Sequence, residues 1–148
     1  KVAKIVADKI DSNKLTLDTY VSTENLNPNF GGVNLASNLP TGQVTQVKPN
    51  DILISNIRPY FKKIWFSTIY GGCSTDVICL RVFDNKIKPR FLFYLLNTDD
   101  FTNTYVSSSK GTKMPRGDKN VLLNYDFELP LLEIQQHIVD IKEINLCC

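Results

Sequence analysis

Asn50-Asp51-Ile52-Leu53-Ile54-Ser55-Asn56-Ile57-Arg58-Pro59 is the stretch that decides how this chain folds. Pro49, Asn50 and Asp51 make a turn. The three consecutive aliphatics after it lack the alternation of a strand wetted on one side, so they predict a short strand covered on both faces, the central strand of the fold. Ile64, Trp65 and Phe66 read as its partner across a basic turn, and residues 77–83 as a third strand after a bend at Gly71 and Gly72.

Upstream, residues 44–47 alternate apolar with polar as a half-buried strand does, and residues 19–23 are β-branched and aromatic, also a strand signal. Asn27, Pro28, Asn29, Gly31 and Gly32 make a loop. Residues 2–10 fit either a short helix or an irregular strand. Downstream, Pro89 suits a first helical turn, and Phe91, Leu92, Tyr94, Leu95 and Leu96 form a broad apolar helix face. Asp99 and Asp100 open a second helical stretch through Phe101 and Tyr105. Residues 107–118, with three serines, two glycines and a proline, must be an exposed loop. Val121, Leu122 and Leu123 return the chain to the core, and residues 127–129 read as a last strand. Beyond Pro130, Leu131, Ile134, Ile138 and Ile141 follow at spacings of three, four and three, one narrow seam of a helix. That seam fits a coiled coil or a helix packed on its own domain. The expected fold is therefore α+β: a single globular domain over residues 1–129 with a twisted mixed β-sheet and a few helices, then the start of a C-terminal helix over 130–148.

A chain of 148 residues, 43% hydrophobic, has material for one core. It shows no repeat, low-complexity tract, signal peptide or apolar run of membrane-spanning length, so a soluble, cytoplasmic protein with no membrane partner is expected. It opens on Lys1 rather than Met, which suggests a processed or excised piece. Cys73, Cys79, Cys147 and Cys148 have no CxxC spacing, and His137 is the single histidine, so no metal site is expected. Adjacent Cys147 and Cys148 do not easily bridge, and reduced thiols fit all four.

The net charge of +2 says little, but its distribution says more. Residues 46–66 set Lys48, Arg58, Lys62 and Lys63 against Asp51, and residues 110–120 set Lys110, Lys113, Arg116 and Lys119 against Asp118, so each stretch is +3. Residues 121–148 carry −4. Two short basic loops and an acidic tail suggest a polyanion-binding face and a separate surface for protein contacts; ordinary solvated lysines are the plainer alternative.

Asp51, Asp76 and Glu24 do not stand in any recognisable nuclease spacing, and Ser55, Ser74 and Cys73 have no base, since His137 falls on the C-terminal helix. No GxxxxGK[ST] loop or GxGxxG turn is present. No catalytic residue and no cofactor are expected. The positive case lies in the two loops. Arg58 and Asn56 have the donors that read guanine and adenine edges, and Ser55, Lys62 and Lys63 flank them. Lys110, Thr112, Lys113, Arg116 and Lys119 offer charge and hydrogen bonds to phosphates, with Gly111 allowing close approach. For Tyr60 and Phe61 the competing role is core packing, and for the second loop it is a disordered solvent segment.

At these residues the chain resembles one target-recognition domain of the specificity subunits of type I restriction-modification systems, with the start of the helix that follows. Tyr20, Val21, Ser22, Thr23, Glu24, Asn25 and Leu26 look like that family's early strand motif, and residues 50–59 like its most diagnostic stretch, where Gly usually stands in place of Asn50. Asn tolerates the left-handed conformation that such a Gly supplies. Gly71, Gly72, Cys73, Ser74, Thr75 and Asp76, then Lys110, Gly111 and Thr112, resemble two further family positions in order. Residues 129–138 resemble its exit into a spacer helix, with Leu131 where a second Pro is common and Ile134 where Glu is frequent. The resemblance implies a non-catalytic domain that binds double-stranded DNA at one half of a bipartite site. It also implies a methyltransferase (M) subunit that methylates adenine, a motor nuclease (R) subunit, and a second recognition domain or homodimer partner for the other half. The family diversifies its DNA-contacting loops, so the candidate residues rest on the charge and loop reading. The alternative from another class is a non-nucleic-acid protein-interaction module.

Overall fold

The aliphatic run folds as the strand Ile52–Ser55, buried along its whole length. In this computed structural model, residues 2–146 are described; Lys1, Cys147 and Cys148 lie outside the described residues. In chain order the strands are β1 (Ala3–Ile5), β2 (Lys9–Asp11), β3 (Tyr20–Val21), β4 (Gln43–Val47), β5 (Ile52–Ser55), β6 (Ile64–Phe66), β7 (Gly71–Cys73) and β8 (Val77–Val82). The helices are α1 (Pro89–Leu95), α2 (Asp99–Ser107), α3 (Lys119–Leu123) and α4 (Leu132–Leu146).

The α+β class is as expected, but the strands divide between two sheets. The first, ordered β1-β8-β5-β6, is antiparallel throughout; Leu53 sits opposite Trp65 on one side and Cys79 on the other. The second, ordered β2-β4-β7-β3, carries the mixed character, because β3 runs parallel to β7. Successive side chains of a strand point to opposite faces. Ile52 and Ile54 therefore join the larger core with Phe91, Leu92, Phe101 and Tyr105, while Leu53 joins Val21, Leu26, Val47 and Cys73. Helices cover one face of the first sheet and the second sheet covers the other, which is why β5 needs no polar residue until Ser55.

The opening segment holds no helix and forms two short strands, β1 and β2, in different sheets. Gly71 and Gly72 form β7 rather than a bend. A Cβ on Gly71 would overlap the Thr19 carbonyl, so the bare backbone lets the β3 segment approach closely. Residues 127–129 are not a strand: no ladder partner meets them, and Phe127 holds the segment by side-chain packing on the core.

Helix α4 docks on its own domain, though not through the expected seam. Leu131, Ile134 and Ile141 are exposed, and Gln135 and Val139 face inward with Ile138 half-buried. The fully buried Gln135 amide donates to the carbonyls of Lys86 and Pro130, both at 2.8 Å, and its Oε1 accepts from Lys88 N at 2.8 Å. That last bond satisfies a backbone donor at the start of α1, where Lys88 offers no side-chain cap. None of the described helices is long and apolar enough to cross a membrane.

Candidate nucleic-acid interface

Past Ser55, β5 runs into the first basic loop, and the backbone there is tied to the second. Arg58 N donates to Pro115 O at 2.7 Å, Gly117 N to Asn56 O at 3.2 Å, and Ile57 bridges Arg116. The second loop is itself closed by a reciprocal pair, Lys110 N to Arg116 O and Arg116 N to Lys110 O, each 2.9 Å. It is thus a hydrogen-bonded turn rather than a disordered segment. The Arg58 guanidinium reaches back to the Lys113 carbonyl at 3.4 Å. Two loops far apart in sequence are thereby held side by side.

The first loop is a 3-10 turn, Pro59–Phe61, with left-handed residues at both ends: Arg58 at φ 51° and Lys62 at φ 55°. Pro59 pre-sets the turn and is buried beneath it. Asn29 N donates to Phe61 O and Phe30 N to Lys62 O, both at 2.9 Å. Left-handed backbone costs a non-glycine residue about 1–2 kcal/mol, so this conformation persists because the surroundings hold it.

The ten candidate residues fall into three groups. Arg58, Lys110, Thr112, Lys113 and Lys119 are exposed, and among the described residues none of these four cations has a carboxylate within ion-pair reach. Lys62, Lys63 and Arg116 are engaged with other groups of the protein. Lys62 is 3.9 Å from exposed Asp99, Lys63 Nζ donates to Thr23 O at 2.7 Å, and Arg116 pairs with Asp76 at 2.6 Å. Ser55 and Asn56 are corrections, since both are buried. The Ser55 hydroxyl donates to the Ile57 carbonyl, and Asn56 Oδ1 accepts from the Tyr105 hydroxyl. A polar residue just after a buried strand supports the loop backbone instead of facing outward. Tyr60 and Phe61 depart in the opposite sense: both are exposed, so core packing is not their role.

Three supporting residues escaped the sequence reading. Tyr105, on α2, fixes Asn56; its hydroxyl is held above the ordinary tyrosine range by burial and then by the Asp118 charge. Gly117 leaves room for that ring, since a Cβ there would lie 2.6 Å from Tyr105 Oη. Asp76 receives Asn56 N on its carbonyl and Arg116 on its carboxylate. Gly117 carried a signal as a glycine of the second loop and Asp76 as the end of the stretch 71–76, whereas Tyr105 carried none.

Of the candidate acids, Asp51 and Asp76 are otherwise occupied and Glu24 is exposed. Asp51 is buried, accepts from Lys48 N at 2.8 Å, and takes both nitrogens of Arg81 at 2.8 and 2.7 Å. No three His, Cys, Asp or Glu among the described residues are grouped to hold a metal. Cys73 and Cys79 are buried free thiols. The hydrogen bond to Cys73, then burial and the Asp51 charge, push the Cys79 thiol above its usual range.

A small α+β body that projects a stitched pair of cationic loops from a sheet end defines a class of recognition domain. The family model for the type I restriction modification DNA specificity domain matches residues 4–143, and the chain belongs to that family. It is 30% identical over 143 residues to the type I restriction enzyme EcoDI specificity subunit of Escherichia coli, covering 90% of this chain and 31% of that protein. The crystal structure of the HsdS subunit from Thermoanaerobacter tengcongensis superposes with a TM-score of 0.73 at 27% identity, over 95% of this chain and 39% of that one. A chain from a study of complex assembly and conformational transition in the type I R-M system shares the fold, with a TM-score of 0.66 at 17% identity, over 98% of this chain and 36% of that one. The chain thus spans roughly a third of the length of these relatives.

Proposed function

We propose that the chain is one target-recognition domain of a type I specificity subunit. It binds double-stranded DNA through the ridge made by Arg58, Lys110, Thr112, Lys113 and Lys119, with Lys62, Lys63 and Arg116 at its margins. The observation that carries this is the direct stitching of the two basic loops, Arg58 N to Pro115 O and the Arg58 guanidinium to Lys113 O. Cations spaced along a rigid ridge suit a phosphate backbone, and the fork of Arg58 suits a guanine edge.

On this reading the domain, acting in the cytoplasm, supplies no catalytic group. It positions a methyltransferase subunit, and through it a motor nuclease, on adenine-containing sites. The recognition body would run to residue 129 and the spacer helix would begin with α4, whose Ile134 and Ile141 are exposed. A second recognition domain or a homodimer partner would read the other half of the site.

Mapping methylated adenines in cells with and without the intact gene defines the target. Fluorescence anisotropy with that duplex then measures binding. Affinity should fall steeply with salt, and Arg58→Ala with Lys113→Ala should flatten the slope by roughly two units of log affinity per log salt while the protein stays folded. Binding indifferent to salt would instead favour a protein-interaction module.

A further inference from the structure

We infer that Tyr60 and Phe61 form an aromatic wedge that enters the base stack and opens a step of the bound duplex; this rests on the DNA-binding reading above. The two rings are 47% and 41% exposed. Their centroids lie 4.7 Å apart at 54°, so the rings brace one another as a single blade.

Exposed apolar residues scattered singly are ordinary. This pair differs in how it is held. The turn beneath it carries left-handed Arg58 and Lys62 at its two ends, and three backbone bonds arrive from outside it: Arg58 N to Pro115 O, Asn29 N to Phe61 O and Phe30 N to Lys62 O. Pro59 is buried below, so the turn cannot tuck the rings inward without giving up its anchor. Backbone strain maintained by so many contacts marks a shape kept for use.

The surroundings select the occupant. Arg58 and Lys62 bound the turn that carries the blade, and Lys63 Nζ lies 5.9 Å from the Phe61 ring centroid. An apolar protein surface would have to bury those charges; a polyanion would neutralise them. Phosphates gain nothing from the rings, whereas stacked bases do. Apolar side chains held by cations at the groove edge are the means by which other DNA-binding proteins part base steps. A parted step is also cheaper to open further, which would ease extrusion of a neighbouring adenine for methylation.

The test uses the full chain and duplexes carrying the mapped site, with 2-aminopurine replacing each adenine in turn. At saturating protein, one position should brighten severalfold as it unstacks. Tyr60→Ala combined with Phe61→Ala should abolish the brightening and weaken binding roughly tenfold, leaving the salt slope intact. Tyr60→Phe, which retains the ring, should preserve it. Lys113→Ala, once saturated, should brighten like the unsubstituted chain. Unchanged brightening in the double variant, or no brightening despite tight binding, as from thymine-methyl contact alone, would overturn the wedge. Absence of any duplex binding by the unsubstituted chain would instead sink the DNA-binding reading itself. A circular dichroism spectrum identical to that of the unsubstituted chain separates these outcomes from misfolding.

Discussion

The two ends of strand β5 each carry an Asp–Arg pair, and they use the same chemistry for opposite purposes. At the start, Asp51 is 2% exposed by its side chain and grips Arg81 through both nitrogens, with Lys48 N as a further donor. Arg81 is held in its charged form chiefly by those bonds to Asp51. At the far end, Asp76 and Arg116 meet at 2.6 Å with 36% and 51% of their side chains exposed. Burial decides what each pair does. An ion pair out of water cannot lose one member without leaving a charge stranded, whereas a wetted pair exchanges partners at little cost. One end of the strand is a rivet and the other a solvent-exposed clasp.

The largest effect should come from breaking the rivet. Arg81→Ala leaves Asp51 buried beside Cys79 with its carboxylate unpaired, and the loss of stability should be about 3–5 kcal/mol, read from urea unfolding. A loss under about 1 kcal/mol would show that water reaches Asp51 and that the two ends do not differ as described. Next in size is Gly117→Ala, at the clasp end but in its buried support. The new Cβ overlaps the Tyr105 ring, which is itself buried and bonded to Asn56. A cost of about 1–3 kcal/mol should be accompanied by weaker DNA binding, because the second loop is displaced. Loss of stability with unchanged affinity would separate the loop from the interface.

How far the sequence foresaw this contrast depends on the range of the contacts involved. The run Ile52-Leu53-Ile54 announced a doubly covered strand, because absent alternation is a local signal and both cores proved real. Asn50 adopts φ 74°, the left-handed backbone expected of it from sequence. The basic loops were legible as charge, yet nothing in sequence could show that Arg58 bonds to Pro115, since a turn contact between distant segments leaves no periodicity. Ser55 and Asn56 were misplaced for the same reason: their partners, Ile57 O and Tyr105, convert apparent surface polarity into internal support. On α4 the apolar seam drew attention, but the docking residue is Gln135, a polar side chain that hydrophobic spacing does not weigh.

A smaller effect, of opposite sign, is expected at the clasp itself. Arg58 pays for its left-handed backbone, so Arg58→Gly should relieve about 1 kcal/mol of strain, less what the more flexible unfolded chain takes back. The melting temperature should stay level or rise slightly while affinity for the duplex falls. A clear drop in stability would mean that the guanidinium bond to Lys113 O holds the two loops together, making Arg58 a structural member rather than a reader.

The smallest change in stability belongs to Asp76→Ala. Its carboxylate is partly in water and its backbone carbonyl, which accepts Asn56 N, survives the substitution. The cost should be about 0–1 kcal/mol, in contrast to several at Arg81. The consequence for binding runs the other way, because Arg116 loses its internal anion and becomes free to meet a phosphate. Affinity should increase, and the dependence of log affinity on log salt should steepen by roughly one unit as one more counterion is released. Anisotropy titrations at several salt concentrations measure both. A slope that stays put would mean Arg116 remains turned toward the protein when DNA binds and takes no part in the ridge.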